Sequence, residues 1–145
     1  VSFAPLNLDL WVDRLRSGVT GVQVIELAAN IAAVKAFDKG VAPAIYVMRQ
    51  TGTATDDSGS ERITQIADVQ VSILIVARRL GDPLGAKVGI TADAIRAQVW
   101  TRLIGWQPTD AAIPVSIGTF RDEDWTDAVV YAYDTFKTTI FMRSP

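Results

Sequence analysis

The sequence predicts a two-layer α+β domain. It has a mostly antiparallel sheet of about four to five strands with helices packed on one face, in the order α-β-α-β-β-α-β-β. Three observations lead there. Between Arg62 and Arg78, Ile63, Val69, Val71, Ile73 and Ile75 share one parity, while Thr64, Asp68, Gln70 and Ser72 share the other. That alternation marks a strand with one buried face. Val88, Ala92, Ile95, Val99, Leu103 and Trp106 step by three or four and form the apolar stripe of a long helix. The 145 residues, 49% hydrophobic and 21% charged, suit one globular domain.

The elements follow in order. Asn7 or Asp9 is placed to cap a first helix on which Leu8, Trp11, Val12 and Leu15 recur. Arg14 and Arg16 fall in its last turn, where cations suit the helix dipole, and Gly18 ends it. Val22–Glu26 reads as a short strand and Leu27–Phe37 as a helix closed by Gly40. Ala44–Met48 is β-branched and aromatic, hence a strand. Thr51–Glu61 holds no large apolar residue and is expected to be a flexible arm, probing outward from a hairpin. Within the long strand that follows, Leu74 and Val76 break the alternation, which predicts cover on both faces there. The long helix spans roughly 84–106, with Gly105 and Pro108 at its end. Ile113–Phe120 is a strand, Arg121–Asp124 a charged turn, and Trp125–Met142 a final strand.

Composition excludes much chemistry. There is no cysteine and no histidine, so disulfides, thiol chemistry and imidazole bases are absent. The net charge of −2 argues against tight nucleic-acid binding by charge alone, since neutralising phosphates needs a basic face. Val1–Leu8 lacks the positive n-region of a secretory signal, and no apolar run reaches the roughly 20 residues of a membrane helix.

Few motifs carry chemistry. Gly81–Gly89 lies where a phosphate loop could lie, but lacks the P-loop spacing, so a turn before a helix is expected. Asp122, Glu123, Asp124 and Asp127 form one acidic group; Asp56, Asp57 and Glu61 form another. Neither has EF-hand spacing. A metal-dependent hydrolase built on residues 122–127 is the enzyme alternative; a solvated turn or charged subunit contact is the structural one. Tyr131 and Tyr133 share a strand face, which suits either packing or stacking on single-stranded nucleic acid. Arg49, Arg62, Arg78, Arg79, Arg121 and Arg143 fall near strand ends, a pattern suited to charge-matched interfaces.

The segment order resembles the tail terminator proteins of long-tailed bacteriophages. The resemblance rests on the apolar strand opening Ala42-Pro43-Ala44, the polar arm after it and the strand from Arg62 through Val76. Its most specific element is the helix end Leu103-Ile104-Gly105-Trp106-Gln107-Pro108. It covers roughly residues 6–143.

The resemblance implies a structural protein of the virion, not an enzyme, with no cofactor. It implies a hexameric ring at the head-proximal end of the tail tube, which stops tube polymerisation and joins the head. The implied partners are copies of itself, the tail tube protein and the head completion or connector protein. DNA would pass through the lumen without specific binding, no membrane would be involved, and assembly would take place in the host cytoplasm. A head-completion, neck or tail-tube subunit is the structural alternative. Asp56, Asp57, Glu61, Arg78, Arg79, Asp122, Glu123 and Asp124 are the expected subunit or tube contacts.

Overall fold

The computed structural model describes residues 4–37, 42–56, 64–78, 86–125 and 129–143. Its elements are α1 (Leu8–Arg16), β1 (Val24–Ala28), α2 (Ile31–Phe37), β2 (Ala44–Met48), β3 (Thr51–Asp56), β4 (Thr64–Arg78), α3 (Ala86–Leu103), β5 (Ser116–Trp125) and β6 (Val129–Arg143). The strands form one six-stranded sheet in the order β1-β2-β4-β6-β5, with β3 paired to β4 off this path. The α+β class predicted from sequence is the one observed. β1 and β2 are parallel, joined through α2, and every other pair is antiparallel.

The spine of the sheet is the β4–β6 ladder, which pairs Thr64–Arg78 with Val129–Arg143 without a register break. Fifteen residues at the usual rise span about 50 Å. The other edge of β4 carries two partners in succession, β3 along its first half and β2 along its second. Val47 faces Ile73 whereas Thr51 faces Gln70, so one extra residue is taken up between β2 and β3. That is a β-bulge in an otherwise continuous strand. Gln50 lies in it. Its Oε1 accepts from the Leu6 N–H at 3.0 Å and its Nε2 donates to the Leu6 carbonyl at 2.8 Å, tying down the segment before α1.

The sheet is covered unequally. On one face, Trp11, Val12 and Leu15 of α1 and Ile95, Val99 and Leu103 of α3 pack on Ile45, Val47, Val71, Ile73, Ile75, Ala132 and Phe136. On the opposite face Val34 and Ile31 of α2 cover Ala44, Met48, Leu74 and Val76. Leu74 and Val76 are buried there, as their break in the alternation predicted. The expectation of helices on one face is therefore corrected to two helices on one face and α2 on the other. A short βαβ crossover has to leave the sheet plane, and this one leaves it on the side away from α1.

Helix ends follow their chemistry. The Asn7 side chain caps α1 by accepting from the Asp9 N–H at 3.1 Å. Asn30 does the same for α2, accepting from the Ala33 N–H at 2.8 Å. α2 thus starts later than Leu27, and Leu27 and Ala28 belong to β1. After α3, Gly105 takes φ +83°, a left-handed turn that glycine permits. Its N–H donates to the Val115 carbonyl at 2.8 Å, and the Val115 N–H returns to the Trp106 carbonyl at 2.8 Å. Trp106 meets Trp11 edge-to-face at 5.3 Å and lies under the Arg14 guanidinium at 5.7 Å. The Gly-Trp-Gln-Pro helix end is thus a structural lock between α3, α1 and the segment before β5.

Two further expectations are revised. The arm expected at 51–61 begins as a strand: Thr51–Asp56 pairs with Gln65–Gln70 of β4, while residues 57–61 lie outside the described residues. Small threonines bury little, so their pattern reads as loop, yet they are β-branched and β4 offers a free edge. Gly52 permits the approach, since a Cβ there would stand 2.4 Å from the Asp68 carbonyl oxygen. The charged turn expected at 121–124 is the end of β5, paired with β6 from Tyr131 to Tyr133. An edge strand keeps one side in solvent and tolerates such charge.

Candidate functional site

The most organised polar cluster sits where α3 crosses β6 and the edge strand β5. Asp134 lies on the buried parity of β6, between Ala132 and Phe136, and is wholly inaccessible. Arg96 of α3 reaches it through Nε, at 2.9 and 3.0 Å from the two carboxylate oxygens, and through Nη2 at 2.9 Å. The Trp100 indole donates to the second oxygen at 2.8 Å. Arg96 also donates to the Arg121 carbonyl at 3.2 Å and stands 3.6 Å from Asp122 and 3.4 Å from Asp93. Phe120 packs edge-on against Trp100 at 5.1 Å and beneath Arg96 at 5.5 Å. A buried carboxylate satisfied by an arginine fork and an indole is a clamp, holding β5 and β6 to α3. Neither Arg96 nor Asp134 was singled out from sequence. The available signal was an aspartate on the buried parity of an apolar strand, which demands a buried partner.

The residues expected as contacts divide between the two ends of the β4–β6 ribbon. Arg78 ends β4 opposite Val129, and Asp122 pairs with Ala132 in β5 nearby. Glu123 and Asp124 continue β5 at that end. Asp56 ends β3 opposite Gln65, at the far end of β4. Asp57, Glu61 and Arg79 lie outside the described residues, as do Asp127 and most of the Gly81–Gly89 turn. The structure thus brings Arg78 and the 122–124 acids to one end and sets Asp56 at the other. Asp122 is partly committed within its own chain, to Arg96.

The open face of the sheet beyond α2 is polar. A groove of about 690 Å³ runs across it, lined by Asn30, Arg49, Gln70, Ser72, Thr119, Arg121, Tyr133 and Thr135 among others. Tyr133 lies under Arg121 at 4.4 Å and Tyr131 under Lys35 at 5.1 Å. Both rings also pack against the α2 cluster. These contacts account for the two tyrosines as packing residues. Tyr46 of β2 faces Glu26 of β1, and burial followed by that carboxylate raises its phenol above the usual value. Among the described residues no three or more acidic side chains gather as a metal site.

Comparison with known proteins agrees with the fold. The family model for phage tail terminator proteins matches residues 1–145. No curated protein sequence matches. Among solved structures, a chain from the virion of a native gene transfer agent particle is similar, with a TM-score of 0.52. It is 15% identical, and the match covers 92% of each chain, a likeness of fold.

Proposed function

Because the chain belongs to the phage tail terminator family, whose model spans it from end to end, we propose that it forms a ring closing the head-proximal end of a tail tube. The family assignment makes it a phage tail structural protein. The finer reading is a hexamer that stops tube growth and presents the surface for head–tail joining. Its partners are then further copies of itself, the tail tube protein and a head completion or connector protein. DNA passes through the lumen without specific binding, which a net charge of −2 favours. Its place is the head-proximal part of the virion tail, after assembly in the host cytoplasm.

The observation that carries this reading is the end-to-end family match. The geometry supports it. A joining piece needs two separate surfaces, and the β4–β6 ribbon carries a charged group at each end. Arg78, Asp122, Glu123 and Asp124 lie at one and Asp56 at the other; Arg79, Asp57 and Glu61, outside the described residues, are grouped with them from sequence alone. We assign these residues to the subunit or tube interfaces. Sheet-to-sheet continuation through β5 is disfavoured, because bulges at Ile117/Thr119 and Asp122/Asp124 interrupt its edge.

Light scattering behind size exclusion, with negative-stain images, tests the proposal. A mass near six times 15.7 kDa with ring-shaped particles supports it. Long tubes formed by the protein alone would identify a tube subunit instead.

A further inference from the structure

We propose that two free copies of this chain pair about a twofold axis, each laying β1 in the open step beside β3 of the other. This goes beyond the ring reading. A twofold contact cannot repeat head to tail around a ring, so it belongs to copies outside one.

The step follows from the strand pairing. β2 and β3 lie end to end along the same side of β4, and β1 flanks β2 alone. The margin of the sheet is therefore set back by one strand beside β3. Thr51–Thr55 are exposed there on both faces of the sheet. β1 has five residues and β3 has six, so a second β1 has the length to fill the step. The register of β3 on β4 is unbroken, and Thr51–Thr55 include no charge and no proline. An edge without those guards is a template for another strand.

The two faces of the sheet choose the orientation, because successive side chains of a strand alternate. In β1, Leu27 pairs with Val47 and shares the face of α1 and α3, while Glu26 pairs with Tyr46 and shares the face of α2. In β3, Gly52 and Ala54 pair with Val69 and Ala67 on the α1 and α3 face, and Thr53 lies on the other. Half a turn about the sheet normal keeps each face on its own side and sets β1 antiparallel to β3. Leu27 then lies opposite Gly52, and Glu26 opposite Thr53. Leu27 is 48% exposed in its own chain. Beside Gly52 lies an apolar hollow of about 390 Å³, lined by Pro5, Ala54, Ala67, Ile140 and Met142 among others. A parallel β1 would turn the sheet over and bring Glu26 to that hollow instead. Two short strands a side fall well below the roughly 20–30 residues of a standard interface, so the pairing is weak enough for assembly to displace.

The chain has no cysteine, so introduced ones report this contact alone. Directly opposed strand residues stand within disulfide reach. Glu26→Cys and Thr53→Cys chains, both at exposed positions, are mixed at ~1 mM under mild oxidation. Glu26→Cys with Ala97→Cys, at an exposed position of α3, is the control. The expected result is roughly tenfold more 26–53 than 26–97 disulfide. Leu27→Asp, checked for an unchanged thermal melt, is expected to cut the 26–53 yield about tenfold, and Leu27→Met to preserve it. Equal yields of the two disulfides, or a 26–53 yield indifferent to Leu27→Asp, would overturn the pairing. If rings form and the yields are equal, the ring reading stands and only this contact is wrong. If the 26–53 dimer forms and no ring is seen, the contact stands and the ring reading fails. Amide protection of β3 by tail tubes, and not by added copies, would give the edge to the tube and overturn the pairing.

Discussion

Replacing Asp134 by alanine tests whether the Arg96 clamp holds β5 and β6 to the helix layer. The substitution strands a guanidinium whose side chain is only 10% exposed. Removing one partner of a buried pair costs about 3–5 kcal/mol. Here Asp93 and Asp122 remain 3.4 and 3.6 Å from Arg96, with side chains 74% and 29% exposed. Those partly solvated counter-charges place the loss at the lower end, about 3 kcal/mol. For a domain of this size that is about 6–12 °C in Tm. Urea unfolding followed by tryptophan fluorescence reads it as a lower midpoint at unchanged slope. Arg96→Met combined with Asp134→Leu removes both charges and is expected to recover most of the loss, since apolar replacement of a whole buried pair is often neutral. A loss below about 1 kcal/mol for Asp134→Ala, or a double variant less stable than the single, would refute the argument.

Other consequences are as specific. Gly105→Ala meets no steric obstacle yet forces a left-handed φ on alanine, so thermal melts are expected to show a loss of about 1–2 kcal/mol; an unchanged Tm would deny the turn. Gly52→Ala drives a Cβ against the Asp68 carbonyl, so amide exchange in β3 is expected to accelerate while the β4–β6 ladder stays protected. The folded state holds the Tyr46 proton more tightly than the unfolded state, so its contribution is complete below the unfolded phenol value near 10 and is lost as pH rises through the raised one. Glu26→Gln is expected to bring that titration down, read by phenolate absorbance against Tyr46→Phe.

The sequence was most legible where side chains repeat. The α3 stripe, the β4 alternation and the Asn7 cap are all stated by local chemistry and all appear in the fold. Leu74 and Val76 even announced the second covered face. Less legible were elements whose identity depends on partners far along the chain. Thr51–Asp56 has loop-like composition and becomes a strand because β4 supplies a pairing edge. Arg121–Asp124 has turn-like charge and is held in β5 by β6. The clamp was hidden for the same reason: Arg96 and Asp134 lie 38 residues apart, and neither forms a motif. The proposed contact residues are readable only as charge clusters, because a contact with another molecule would leave few traces in the chain's own packing.

On the proposed function, this chain ends a tail tube. The most direct measurement adds the purified protein to growing tail tubes and images their ends by electron microscopy over time. Growth is expected to stop, with a single ring on one end of each tube. Tubes that lengthen unchanged, or that take up the protein along their length, would contradict it.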